Sequence, residues 1–256
     1  MKMNICPATA VYPGKPIQMA ISSIFKNITI QDKPFENYQW DFSDIQICPQ
    51  HIGFLTKKQF EKIQEIYPKT KFRLHANVKL QNQLIFFDAS DNINDKKEYV
   101  QKLKEIVKMT KNDIYTYHAP QRKKISWKKI KKNVLDLQDY LNVCVGVEGL
   151  YPVEKFKDIW SNSIEAYEKL MNSGLYFVVD LSHLNILYYK ENKNDLIKEL
   201  TQELLNHQNC IEVHVSGNNG IYDQHHIIQD KNIWWLDILK NSNYQKTIFC
   251  ESKQIF

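Results

Sequence analysis

Glycine is scarce in this chain of 256 residues: there are seven, and none falls in the spacing of a phosphate-cradling loop or a dinucleotide-binding turn. Both devices need several glycines so that backbone N–H groups can approach an anion closely, so neither nucleotide-binding class is expected. Long apolar runs are missing too. No stretch reaches the roughly 18 consecutive apolar residues that a membrane-spanning helix needs. The opening residues Met1-Lys2-Met3-Asn4-Ile5-Cys6-Pro7 lack the continuous apolar segment of a secretory signal, which makes a cytoplasmic address the default expectation. Cysteine is sparse and odd in number, with no C-x-x-C pair. Cys6, Cys48, Cys144, Cys210 and Cys250 each lie in an apolar, strand-like run, the pattern of reduced thiols buried in a core rather than of a disulfide framework.

Charge of one sign is lacking as well, with 34 Lys+Arg set against 29 Asp+Glu for a formal net charge of +5. Many of the lysines sit in helix-like stretches, as in Lys123-Lys124, Lys128-Lys129 and Lys131-Lys132. A solvated helix face accounts for them better than a nucleic-acid patch does.

What the chain does have is alternation. Short runs rich in β-branched and aromatic residues occur at Ile5–Val11, Asp44–Cys48, Phe72–Leu74, Ile114–Tyr117, Val143–Val147, Tyr176–Val179, Cys210–Val213 and Thr247–Cys250. Segments with helical spacing lie between them, at Thr56–Tyr67, Asp95–Thr110, Trp127–Leu141, Val153–Asn172, Asn194–Asn206 and Asn232–Lys240. Thr56 with Gln59 reads as a capping box, and Asn172-Ser173-Gly174 reads as a helix stop. Eight strands alternating with helices over this length predict an α/β chain folded as a single (β/α)8 TIM barrel spanning 1–256, with a doubly wound sheet as the alternative. Residues 12–41 are the least regular part, a short helix followed by a proline-containing stretch, and no role is assigned to them.

In such a barrel the loops after the strands converge on one face, so strand ends are where function is sought. Six consecutive predicted strands end in a metal-binding type of side chain: His75, His118, Glu148, Asp180 with His183, His214, and Glu251. The loop after the seventh adds Asp223 and His225. One histidine at one strand end means little; the same register in six successive strands points to a common site. Five imidazoles and four carboxylates without a thiolate suit iron, zinc or manganese, and nine ligands exceed what one ion uses. Two or three metal ions are therefore expected, with Glu148, Asp180 and His214 central to catalysis. Four carboxylates against three divalent ions leave excess positive charge, to be neutralised by a hydroxide, a phosphate or a substrate thiolate. His207 reads as solvated, His226 as pointing away from the neighbouring His225 if the chain is extended there, and His51, after the second strand, as a second layer of contacts to metal or substrate.

The constellation resembles the endonuclease IV and xylose-isomerase-like group of TIM barrels. Within that group the local motifs are similar to those of the multinuclear non-heme iron-dependent oxidative enzymes, the methanobactin-biosynthesis oxidase type. His214-Val215-Ser216-Gly217 resembles that family's His-Leu-Ala-Gly, and Asp223-Gln224-His225 followed by Ile233-Trp234 resembles its Asp-Thr-His and Val-Trp. Asp180-Leu181-Ser182-His183, Glu148 with Tyr151, and Tyr67-Pro68 leading to His75 fit as well. The likeness runs over residues 42–251 as short motifs. It departs at Pro49-Gln50-His51, where the family has Pro-Glu-Asn, and at Gly149, where it has Asn.

The resemblance implies an iron- and O2-dependent oxidoreductase that modifies a cysteine of a ribosomally synthesised precursor peptide. Dioxygen would be its co-substrate, and a partner protein would present the peptide. The alternatives are an endonuclease IV-like zinc phosphodiesterase acting on abasic DNA, a sugar isomerase or epimerase using one divalent ion, and a non-catalytic metal-binding module. Asp223-Gln224-His225-His226 resembles the nuclease's Asp-Arg-His-His, but Ile227-Ile228-Gln229 stands where its Gly-Glu-Gly would be. Nucleic acid is accordingly the less expected partner, and a membrane is not expected.

Overall fold

The strand-like runs become β1 (Ile5–Pro7), β2 (Asp44–Ile47), β3 (Lys71–His75), β4 (Ile114–His118), β5 (Cys144–Glu148), β6 (Tyr176–Asp180), β7 (Cys210–Val215) and β8 (Thr247–Cys250). The structure is a computed structural model that describes residues 3–26, 29–48, 56–76, 79–80, 83–121, 124–152, 162–242 and 246–254. Seven neighbouring pairs, β1–β8 and then in sequence from β8 back to β2, are hydrogen-bonded and parallel. The ring closes between β1 and β2 through a parallel bridge from Ala8 to Gln46, beside which Cys48 N donates to Thr9 Oγ1 at 2.8 Å. This closure excludes the doubly wound alternative, whose sheet keeps two open edges. The fold is a parallel eight-stranded (β/α)8 TIM barrel.

Among the described residues eight α-helices surround it: α1 (Ile17–Lys26), α2 (Lys57–Ile66), α3 (Lys97–Thr110), α4 (Trp127–Leu141), α5 (Ile164–Met171), α6 (Leu181–Glu191), α7 (Asn194–Asn206) and α8 (Leu236–Asn241). The expected capping box forms, with Thr56 accepting from Gln59 N while the Gln59 side chain accepts from Thr56 N. Gly174 takes the left-handed conformation just after α5, where the helix stop was read. Of the helix predicted over Val153–Asn172, residues 153–161 lie outside the described residues and Ile164–Met171 is helical. The helix predicted over Asn232–Lys240 begins only at Leu236. No helix among the described residues is long and apolar enough to cross a membrane. All five cysteines are free, and four are buried; Cys144 is half-buried. The lysine-rich face of α4 is exposed, as a solvated face should be.

Helix α6 is the element the spacing did not predict. Leu181, Leu184, Ile186 and Leu187 are fully buried, and Ser182, His183 and Asn185 are buried too. These seven residues are covered on every side and leave no polar stripe, so the 3.6-residue alternation that reveals surface helices is missing; only the end of the helix, at Tyr189 and Lys190, is exposed. Each buried leucine contributes about 1.5–3 kcal/mol of burial.

Residues 29–41 serve as a brace for the far end of the chain. Asp32 is fully buried, and its Oδ1 accepts from Ile228 N at 2.8 Å and Ser252 Oγ at 2.6 Å. Its Oδ2 accepts from Gln254 Nε2 at 3.0 Å and Cys250 Sγ at 3.3 Å. One carboxylate thereby anchors both the loop after β7 and the segment after β8.

Candidate metal centre

Parallel register sets side by side the residues that the strand ends carry. His118 pairs with Glu148 across β4 and β5, and Asp180 pairs with His214 across β6 and β7. Since side chains alternate along a strand, these residues project to the same side of the barrel at the same height. Glu148 lies at the centre. Its Oε2 is 3.1 Å from His75 Nε2, 3.3 Å from His214 Nδ1 and 4.0 Å from His118 Nε2, and its Oε1 is 3.3 Å from His183 Nδ1.

The remaining contacts extend outward from this carboxylate. Glu251 Oε1 lies 3.7 Å from His214 Nδ1, and its Oε2 lies 3.5 Å from His225 Nδ1. Asp223 Oδ2 lies 3.0 Å from His225 Nε2 and 3.5 Å from His183 Nε2, which is itself 3.5 Å from Asp180 Oδ2. All nine residues singled out in the sequence therefore meet in one network. Within it, His75, His118 and Glu148 can bring donor atoms within 4.8 Å of one another, as can Glu148, Asp180 and His214. His75, Glu212 and His214 meet the same criterion, and His183 and His225 flank Asp223 Oδ2 as a looser third set of donors. Glu148 belongs to the first two.

The donor atoms fit metal ions. Glu148 Oε2, His214 Nδ1, His225 Nδ1 and Asp223 Oδ1 are buried and make no hydrogen bond, a costly state for a polar atom that a cation would relieve. Two rings hold their other nitrogen on a fixed partner, as ligating histidines do: His183 Nδ1 lies 2.8 Å from Gly149 O, and His75 Nδ1 lies 2.9 Å from Thr116 Oγ1.

Burial lowers the His75 and His118 imidazoles below their ordinary range, which favours the neutral, ligating form. For Glu148, burial works upward but His75, His214 and His118 outweigh it, holding the carboxyl well below the usual range. For His183 burial works downward and Asp180 and Asp223 overcome it, pushing the ring up to about 10; Asp223 similarly lifts His225 to about 9. Burial raises Glu251 to about 7. Buried anions and protonatable rings here compensate one another in the way that a cluster of cations would otherwise do.

The loop after β7 reaches the centre by a specific device. Gly217 and His226 exchange backbone hydrogen bonds in both directions at 2.7 Å, folding the segment that carries Asp223 and His225 back over the strand end. A Cβ at Gly217 would sit 2.7 Å from His226 O, so the glycine of the His214–Gly217 motif is sterically required. His225 itself adopts a left-handed backbone with φ of 52°, pinned where Lys253 N donates to His225 O at 2.8 Å. A non-glycine residue in that region costs free energy, and here the strain belongs to a candidate ligand. Gly149, a departure from the resembled pattern, also has a steric cause: a Cβ there would lie 2.2 Å from the Tyr167 ring.

His226 is exposed, although the chain beside it is not extended, His225 being left-handed, and His207 is half-buried at the end of α7 where it was read as solvated, its Nδ1 accepting from Asn209 N at 3.1 Å. His51 lies outside the described residues. Sequence reasoning missed a polar layer directly beneath the ligands. Gln46, Arg73, Thr116 and Glu212 each precede a strand-end residue by two positions and so share its face. That period of two was the available signal.

No family model and no curated protein sequence matches the chain. Its fold has solved counterparts. A D-tagatose 3-epimerase-like protein aligns with a TM-score of 0.67 at 17% identity, over 99% of this chain and 92% of its own. An AP endonuclease of family 2 from Brucella melitensis gives 0.62 at 7% identity, over 100% and 95%. A xylose isomerase-like TIM-barrel protein from Mycobacterium smegmatis, solved in complex with magnesium, gives 0.60 at 9% identity, over 97% and 90%. At these identities the likeness establishes the xylose-isomerase-like type of TIM barrel, and the chemistry has to be read from the site.

Proposed function

We propose that this chain is a metal-dependent enzyme whose centre holds up to three divalent ions, and that it hydrolyses a phosphate ester, with the phosphodiester of abasic DNA as the first substrate to test. The observation that carries this reading is the meeting of nine donor residues in one network, where Glu148 is shared by two groups able to hold an ion and Asp223 is flanked by His183 and His225. A sugar isomerase or epimerase working with one ion would be served by Glu148, Asp180, His214 and Glu251, leaving His75, His118, His183, Asp223 and His225 without a use. Three divalent ions against four carboxylates leave two positive charges, which an attacking hydroxide and a phosphodiester together neutralise. The AP endonuclease among the fold's counterparts supports trying DNA first.

Bound divalent ions would supply a nucleophile at neutral pH and polarise the phosphoryl oxygens. The protein's own part is placement. His75, Glu148, Asp180, His183, His214 and Glu251 are buried and form the floor, where water is excluded and electrostatic interactions are strong. His118, Asp223 and His225 keep 15–20% of their side-chain surface exposed and form the rim that an incoming ester meets. Glu148, held as an anion, spans two of the sets and fixes their spacing.

A second reading is favoured by one observation, the His214-Val215-Ser216-Gly217 run followed by Asp223 and His225. It is iron- and O2-dependent oxidation of a cysteine in a ribosomally made precursor peptide presented by a partner protein. The same donor set accommodates iron, zinc or manganese. Metal analysis of protein purified anaerobically, followed by two assays, separates the readings. Incision of an abasic oligonucleotide by the zinc-loaded protein supports the hydrolase. A mass shift of a cysteine peptide with iron and oxygen, and no incision, replaces it with the oxidase.

A further inference from the structure

Beneath the nine candidate ligands lies a further carboxylate with partners of its own. Glu212 is fully buried in β7, and its oxygens are already engaged. Oε1 accepts from Gln46 Nε2 at 2.7 Å and from Thr116 Oγ1 at 3.1 Å, and it lies 2.9 Å from His214 Nε2. Oε2 lies 3.4 Å from Arg73 Nη1, and Arg73 is in turn held by Asp44 at 2.9 Å. Although Glu212 is within donor reach of His75 and His214, these four engagements place it in a supporting role.

We propose that Glu212 is a positioning residue that fixes the ring tautomers of two metal-ligating histidines, His214 directly and His75 through Thr116. The proposal rests on the metal-centre reading above. A carboxylate only accepts hydrogen bonds, so the His214 nitrogen facing it, Nε2, carries the proton. The Gln46 amide also lies 2.8 Å from His214 Nε2 and could donate there in the opposite tautomer. The charged oxygen outcompetes it, because a hydrogen bond to an anion is the stronger, and it also takes the Gln46 N–H at 2.7 Å. With a cation bound between them, His214 Nδ1 then offers its lone pair on the side of Glu148, 3.3 Å away, where it makes no hydrogen bond.

The second arm follows from counting protons. A threonine hydroxyl has one, and Thr116 gives it to Glu212 Oε1. Its oxygen can therefore only accept from His75 Nδ1, 2.9 Å away, so that ring carries its proton on Nδ1. The Nε2 lone pair of His75 is consequently available to a cation shared with Glu148, whose Oε2 lies 3.1 Å away. His75 belongs to the first ligand set and His214 to the second, so one buried carboxylate sets the ligating atom in both.

The test uses the full chain with 15N-labelled histidine and Zn2+ alone. Long-range 1H–15N correlation spectra report which nitrogen of each ring is protonated, and chelator competition reports zinc affinity. Wild type loaded with zinc should show His214 protonated on Nε2 and His75 on Nδ1. Glu212→Gln should disturb both rings and weaken zinc retention about 10- to 100-fold, the usual cost of losing a supporting partner. Thr116→Val should disturb His75 and leave the His214 pattern intact, a separation that a general packing defect would not produce. Glu212→Gln with both tautomers and zinc affinity unchanged would overturn the proposal while leaving the metal centre standing. Wild type that retains no zinc, iron or manganese would overturn both.

Discussion

Glu148→Gln keeps the shape of the central side chain and removes its charge. The carboxylate lies 3.1–4.0 Å from nitrogens of His75, His118, His183 and His214, so the change reaches most of the centre. The three ligand sets respond differently. His75 and His118 alone are too few, since a catalytic zinc takes three protein ligands. Asp180, His214 and Glu251 still number three, and His183, Asp223 and His225 keep all three of their donors. Zinc content should therefore fall from three ions to two, with one of the two held more weakly. An ion present at about 100 times its Kd stabilises the fold by about 2.7 kcal/mol. For a chain of this size, 1 kcal/mol moves Tm by about 2–4 °C, so losing one ion should lower Tm in zinc by roughly 5–11 °C. Elemental analysis after gel filtration and thermal unfolding with and without chelator measure both quantities. Comparing the two proteins after chelation isolates the metal contribution from any change in packing. A Glu148→Gln protein with undiminished metal content, or a wild type whose Tm ignores zinc, would refute the reasoning.

Three further outcomes follow from the geometry. Asp223→Asn should remove one ion and leave the other two, whereas His226→Ala, at an exposed neighbour, should leave elemental content at the wild-type level. Gly217→Ala drives a methyl against His226 O and should destabilise the protein by more than about 1 kcal/mol, since the strain exceeds the usual Gly-to-Ala gain. Zinc loss from the third set, read by elemental analysis, should accompany it. Finally, in the metal-free protein Asp180 and Asp223 lift His183 to about 10 and Asp223 lifts His225 to about 9, both above their ordinary value, so both rings are doubly protonated and cationic at pH 7. Zinc uptake at pH 7 should therefore release protons, the release should shrink as pH rises through about 9 to 10, and affinity should increase over the same range. Calorimetry in buffers of different ionisation enthalpy reads this directly; buffer-independent heats at pH 7 would contradict it.

How far these features could be seen in the sequence depended on the physical origin of each. His75, His118, Glu148, Asp180, His214 and Glu251 were legible because each follows an apolar run, and because a parallel barrel turns equal register into spatial proximity. Asp223 and His225 were legible only as a pair after the seventh run; their arrival at the site depends on the Gly217–His226 backbone exchange, which leaves just a glycine in the sequence. Helix α6 was hidden because its first seven residues are buried all round. Glu212 was hidden for a different reason. It sits mid-strand among apolar residues, and only its contacts with Gln46, Arg73 and Thr116, which are more than 90 residues earlier in the chain, disclose its role. The brace at Asp32 is equally non-local, joining residues 32, 228 and 252.

Asp180 divides its two oxygens between different tasks. Oδ1 accepts from Ser182 N at 2.6 Å and His183 N at 3.3 Å and so starts α6, while Oδ2 points toward His183 Nε2 and the centre. Helix initiation and cation occupancy therefore draw on the same carboxylate, and they stand or fall together. The amide protons of Ser182 and His183 become an internal gauge. Their exchange with solvent should slow as the centre fills and quicken as it empties, so occupancy can be followed without a substrate, a cofactor assay or any label on the metal.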